Sequence, residues 1–310
     1  MCVGFWTTNH PDYALILLNN RDEFLSRPAE SATVHHFGKK HSEEGDEIIS
    51  GLDTKAGGTW LGISRHGRLA MLTNITEEPI KRNTSRGNLV SSFLLSSTKE
   101  TMQEHVEALT EVPNTEEERL EHRDYSGFNM LLISLAEEDD PAHSGIKGAI
   151  LNYPKMTLVT NSGGGGPVTA RWLDQEEIDI GGLSNGVDGK TMHLWTKVEQ
   201  GKSALNQILE EPLESEEQLM EKLFSILAIR SNVPVSTRDD LRHTIRVDPI
   251  EIKVGSFEDW YGTRTSSIIL IRNDGFVIYR ERDIWKLDEK KTPVLGDCRN
   301  DREHVFWLYQ

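Results

Sequence analysis

The sequence predicts an α+β protein in which helices cover both outer faces of two mainly antiparallel sheets. Three observations carry this. The apolar pattern runs strands, helices, strands, helices, strands, whereas a doubly wound parallel fold would alternate strand and helix strictly. Short turns join neighbouring strands, as hairpins require. The 310 residues suffice for a large core and show no linker composition, so residues 1–310 are expected to form one domain, with a polar C-terminal extension from about residue 284.

Residues 3 to 8 and 13 to 20 are apolar or β-branched runs around the turn "NHPD", a first hairpin. A second pairs "GGTWLGIS" with "GRLAMLTNI" around "RHG", and the histidine-rich "ESATVHHFGKKHSEEGDE" between the two reads as a surface loop. "RGNLVSSFLLSS" and "KETMQEHVEALTEV" repeat apolar residues at three- and four-residue steps and predict helices. Strand signals return in "FNMLLISL", "KGAILNY" and "MTLVTN", ahead of four glycines at 163 to 166. Beyond "IDIGGLSNG" come two more helices, one carrying Trp195, Val198, Leu205, Ile208 and Leu209, the other Leu219, Leu223, Ile226 and Leu227. "TSSIILIR" and "FVIYRER" flank Asn273, Asp274 and Gly275 as a closing hairpin. The chain ends in a polar excursion and one apolar strand-like piece, which places Cys298 near the surface.

A net charge of −16 repels nucleic-acid backbones and anionic membranes at long range, so neither is an expected partner. An anionic small molecule stays compatible wherever arginines converge. "VGFW" gives way at once to polar "TTNHPDY", unlike a signal peptide. No run approaches the roughly 20 apolar residues of a membrane span. The chain is therefore not expected to be an integral membrane protein. Two cysteines, Cys2 and Cys298, make neither a disulfide framework nor a metal-binding spacing. This composition suits the reducing cytoplasm, with Cys2 a free thiol.

Cys2 follows the initiator methionine, whose removal requires a small second residue, so one residue can present both a thiol and an α-amine. Hairpin arithmetic sets Cys2 opposite residues 19 to 22. Register then selects either Asn20 with Asp22, or Arg21, as the group beside the thiol. An arginine there favours thiolate, while an aspartate holds a protonated α-amine or orients a substrate. With a reference pKa of roughly 7.7 to 8.0, the α-amine can relay the nucleophile's proton without a histidine. Asn74 in "LTNI" and Asn185 in "LSNG" are candidate oxyanion donors at strand ends or turns. The alternative is structural: Cys2 as a small apolar residue of an edge strand, and "NRDE" as a solvated strand end.

Taken in order, "MC", "NNRDEFLSRP" at 19 to 28, "SGLD" at 50, "GGTWLGIS" at 57, "LTN" at 72, "RGNLV" at 86, "GFN" at 127, "GLSNG" at 182 and "YGTRTSSIIL" at 261 resemble the Transport and Golgi organization protein 2 family, also called the NRDE family. The resemblance implies a four-layer αββα sandwich like that of N-terminal-nucleophile hydrolases. It also implies links to Golgi organisation, lipid or acyl-CoA metabolism and haem mobilisation, with cytoplasmic, mitochondrial or Golgi-associated residence. The ligand expected on that basis is a small acyl or amide compound, or haem, with no cofactor required. The bile-salt-hydrolase branch of cysteine enzymes also starts Met-Cys, but separates its arginine and aspartate by two residues. Here Arg21 and Asp22 are adjacent and must face opposite sides of a regular strand, so joint action on Cys2 requires a bulge.

Arg264 in "YGTRTSSIIL", read as preceding a strand, is a candidate for binding a carboxylate, phosphate or haem propionate, or else a structural ion pair. Trp60, Trp195 and Trp260 are candidates to line an apolar slot, Trp60 as a ligand contact, although aromatics at such intervals also build cores. No "CxxCH" signature attaches haem covalently, which leaves Cys2 or a histidine as axial ligand. His35, His36 and His41 lack a ligand pair at helical spacing, and no metal site is expected. No "GK[ST]" follows either glycine cluster, against a nucleotide phosphate loop.

Overall fold

A computed structural model describes residues 2–38, 47–78, 82, 84–96, 100–112, 124–135, 154–212, 214–235, 237–254 and 257–309. Two seven-stranded antiparallel sheets stack face to face. The first contains β1 (Val3–Thr7), β2 (Tyr13–Phe24), β10 (Ile180–Leu183), β11 (Ile250–Val254), β12 (Phe257–Arg272), β13 (Phe276–Asp283) and β16 (Arg302–Trp307). Its strand order is β10-β1-β2-β12-β13-β16, with β11 paired to β12.

The second sheet runs in chain order through β3 (Glu30–His35), β4 (Ile48–Leu52), β5 (Leu61–Ser64), β6 (Arg68–Asn74), β7 (Phe128–Ser134), β8 (Lys155–Thr160) and β9 (Thr169–Trp172). A small separate hairpin joins β14 (Trp285–Leu287) to β15 (Pro293–Leu295).

Leu15 to Leu18 are fully buried because β2 is covered on both faces. Leu15 and Leu17 point between the sheets, with Leu61, Ile63, Met71, Leu131 and Ile269. Ile16 and Leu18 point outward, under α4 (Thr196–Glu210) and α5 (Glu216–Leu227). On the far side, α1 (Gly87–Leu94) and α2 (Met102–Thr110) cover the second sheet through Leu89, Phe93, Met102 and Val106. A fifth α-helix among the described residues, α3 (Gln175–Asp179), precedes β10. The result is the four-layer αββα sandwich. Local chemistry sets several boundaries: Thr101 and Glu104 form a capping box on α2, and Ser215 caps α5. At the β12–β13 turn Gly275 has φ +87°, which a side chain rarely adopts.

The expected surface loop at 30 to 47 is corrected at its start: Glu30–His35 is β3, paired with β4. Only Ala32 is buried in β3, and so polar an edge strand carries no apolar run for periodicity to detect. β2 continues past residue 20 to Phe24, and β12 begins at Phe257, eight residues ahead of its apolar run. Arg264 therefore lies inside a strand and not before one. "KGAILNY" and His41 fall outside the described residues. At the C-terminus β16 is the edge strand beside β13, and Cys298 is exposed.

Candidate active site

Register puts Cys2 and Arg21 on one face. Val3 pairs with Asn20 and Gly4 with Asn19, so the next position along sets Cys2 opposite Arg21, both toward the second sheet. Cys2, Arg21, Trp60 and Asn74 border one cleft of about 210 Å3. Cys2 is buried, and its Sγ lies 4.0 Å from the Asp22 carbonyl oxygen. Burial pushes its thiol pKa above the ordinary value, against the opposing pull of Arg21's positive charge.

Arg21 is 4% exposed, and its guanidinium lies over the Trp60 ring at 4.0 Å from the centroid. Burial holds its pKa below the usual arginine value. Asp22 also borders the cleft, but its carboxylate turns the other way. Its Oδ1 accepts from the Thr263 hydroxyl at 2.6 Å, and its Oδ2 lies 3.9 Å from Lys197 Nζ on α4. The adjacent pair thus splits across the sheet, as strand alternation requires. A register shift between Thr263 and Thr265 sits on β12, at Arg264, and leaves β2 regular.

Asn74 ends β6 at the cleft, and among the described residues its side-chain amide has no hydrogen-bond partner. Asn185 is 1% exposed, does not border the cleft, and donates from its side chain to the Asn74 carbonyl. Asn20 faces the helical layer. Its Nδ2 donates to Leu227 O at 2.9 Å and Ile245 O at 3.0 Å, and its Oδ1 accepts from Ser266 at 2.6 Å. Arg264 donates to the Arg27 carbonyl. Burial, with Arg21's charge, brings its pKa down to about 10. Trp195 borders a different cavity of about 260 Å3.

Two contacts tie the two sheets together beside the cleft, and others fasten the second sheet's loops. Arg27, after β2, donates from Nε and Nη2 to Asp53 Oδ2 at 2.9 and 2.7 Å, after β4. Asn129 on β7 donates to Ser184 O at 3.2 Å and Gly186 O at 2.8 Å, holding the segment after β10. Arg86 Nη1 donates to Gly127 O at 2.9 Å. Glu77 accepts from the Gly127 and Gly164 amides at 2.6 and 2.7 Å, so an internal carboxylate fills part of the glycine loop. Among the described residues no three His, Cys, Asp or Glu side chains cluster to hold a metal ion, and no helix is long and apolar enough to cross a membrane.

The Transport and Golgi organisation 2 family profile matches residues 1–286. The chain belongs to this family. It is 32% identical over 288 residues to the Transport and Golgi organization protein 2 homolog of Bos taurus, covering 89% of this chain and 88% of the relative. Identity to the Homo sapiens homolog is 30% with the same coverage. Among solved structures, penicillin V acylase from Agrobacterium tumefaciens resembles it with a TM-score of 0.52 at 11% identity, over 94% of this chain and 87% of the acylase. That likeness establishes the N-terminal-nucleophile-hydrolase-like fold for this member of the family.

Reading the sequence alone misses Lys197, Arg86 and the Arg27–Asp53 pair. Lys197 had a signal: it continues the buried stripe of Gly201, Leu205 and Ile208 at helical spacing. Arg86 stands in the "RGNLV" motif with nothing local to separate it from a surface arginine.

Proposed function

We propose that the protein is a cysteine N-terminal-nucleophile hydrolase that cleaves an amide or thioester of a small acyl compound connected with lipid metabolism and Golgi organisation. The observation that carries this reading is the shared cleft: Cys2 just ahead of β1, Arg21 opposite it, and the uncommitted Asn74 amide. The acylase-like fold supports it. After removal of Met1, Cys2 Sγ adds to the acyl carbon and its proton passes to the Cys2 α-amine. The Asn74 amide donates to the developing oxyanion. Collapse breaks the bond to the amine or thiol leaving group, which takes the proton, and water then hydrolyses the acyl-cysteine. Asp22, Asn20 and Asn185 hold the strands and turn that present these groups, and Arg264 braces the chain after β2.

The test has two parts. Intact mass of protein from its own cells reports whether Met1 is removed, and turnover of acyl amides and thioesters is compared with Cys2→Ala. Retained Met1 abolishes the amine relay, and turnover surviving in Cys2→Ala refutes the nucleophile.

A second reading is carriage of haem or an acyl-CoA without chemistry, in the cytoplasm, the mitochondrion or at the Golgi. What favours it is the buried Cys2 thiol, which desolvation keeps protonated at neutral pH. Saturable acyl-CoA binding or a Soret shift on haem titration, without turnover, is its expected signature.

A further inference from the structure

We propose that the Cys2 cleft holds a carboxylate-binding subsite formed by Arg21 and Arg86, so that its ligand is a small acyl compound bearing a carboxylate; the acyl part rests on the reading above. Arg21 is 4% exposed, yet among the described residues its guanidinium has no hydrogen-bond or ion-pair partner. It stacks on the face of Trp60. Stacking occupies the face of a guanidinium and leaves the in-plane N–H edges available, the edges that grip a carboxylate with two parallel hydrogen bonds.

The acids bordering the cleft are committed elsewhere. Asp53 accepts from Arg27 at Oδ2 and from the Lys55 and Ala56 amides at Oδ1. Glu23 lies 3.8 Å from Arg27 and accepts the Phe24 amide. Asp22 turns to Thr263 and Lys197. Arg86, at the start of α1, uses Nη1 on Gly127 O, makes no ion pair among the described residues, and borders the same cleft.

Of the four arginines that border the cleft, Arg27 pairs with Asp53 and Arg82 with Asp124, which leaves Arg21 and Arg86 without an ion pair among the described residues. A guanidinium stays charged even when burial depresses its pKa, and a buried charge without a counter-ion is costly. An incoming carboxylate removes that cost. At about 210 Å3 the cleft falls below the roughly 300–1,000 Å3 of sites for drug-sized ligands. It therefore suits a compact acyl amino acid and is too small to enclose a whole nucleotide-bearing thioester.

Calorimetric titration of the full-length protein with N-acetylglycine and with its neutral isostere N-acetylglycinamide tests the subsite without requiring turnover. The acid is expected to bind at least tenfold more tightly, with a preference that weakens as salt rises. Arg21→Gln is expected to remove that preference, and Arg86→Gln, at a partly exposed position, to reduce it in a protein that folds normally. Cys2→Ala should keep it, which separates the subsite from the nucleophile: loss of turnover with preference intact defeats neither, whereas turnover with no preference defeats the subsite alone. Equal binding of acid and amide, an unchanged preference in both arginine variants, or tighter binding of inorganic phosphate than of the acid overturns the proposal.

Discussion

Lys197 Nζ on α4 lies 3.9 Å from Asp22 Oδ2 on β2, and neither side chain has solvent exposure. Desolvation pushes the Asp22 carboxyl up and the Lys197 ammonium down, and the attraction between them opposes both shifts. Breaking a buried pair from one side strands a charge, at a cost of about 3–5 kcal/mol. Lys197→Met is therefore expected to lower the urea midpoint by an amount of that order. Lys197→Met with Asp22→Asn should cost less than the sum of the two single changes. Strict additivity would show that the two groups do not interact.

Gly58 fixes the wall of the cleft. Its φ is +71°, and a Cβ there would come 2.3 Å from the Gly87 carbonyl carbon at the start of α1. The adjoining Thr59 amide donates to Gly87 O at 3.2 Å. Gly58→Ala meets both backbone strain and fixed backbone atoms, so a loss of at least about 2 kcal/mol is expected. Thermal melts set against a Gly38→Ala control isolate the contact, because Gly38 also has positive φ but nothing within 4 Å of its Cβ position. Equal losses in the two variants would leave strain alone as the cause.

How much of this was legible follows from what each residue depends on. The β1–β2 hairpin could be read because apolar runs flank a turn, and its arithmetic brought Cys2 to Arg21 with a one-residue ambiguity. That ambiguity closed only through pairing of Val3 with Asn20, in a sheet whose remaining strands all lie beyond residue 179. Asn20 and Asp22 looked equivalent to Arg21 on paper. Alternation sent them to the helical layer, where Ser266, Thr263 and Lys197 await them. β3 and β9 escaped notice because edge strands with polar faces lack the apolar signal. Lys197 could have been noticed as a charge on an apolar helical stripe, but its partner on β2 is 175 residues earlier by numbering (197 − 22), beyond any local pattern.

His105 is expected to give stability a pH dependence whose sign follows from its burial. It is buried on α2, edge-on to Phe93 at 5.2 Å between ring centroids, with Nδ1 3.2 Å from Glu100 Oε1. Burial outweighs Glu100 and holds its pKa below the ordinary 6.5. The folded state therefore binds fewer protons than the unfolded state. Its contribution is complete above pH 6.5 and is lost as pH falls through the lowered folded value. Between pH 7 and pH 5, wild type is expected to lose more unfolding free energy than His105→Gln in urea titrations. A larger loss in the variant would reverse the assigned sign.

Cys2 itself should report its surroundings through its reactivity. The thiolate is the alkylating species, burial raises the pKa of this thiol, and Arg21 opposes that rise. In a Cys298→Ser background, which removes the exposed thiol, iodoacetamide labelling is expected to accelerate about tenfold per pH unit and to keep rising past the ordinary thiol value of about 8.5. Adding Arg21→Gln removes the favourable charge and should move the profile to still higher pH, whereas a neutral change at a distant surface position should not. The midpoint of the pH–rate profile is the readout, because access to a buried thiol scales all rates together and leaves the midpoint in place. A midpoint below 8.5 would mean that the favourable charges beside the thiol together outweigh burial, and only a midpoint below the ambient pH would leave Cys2 resting as thiolate.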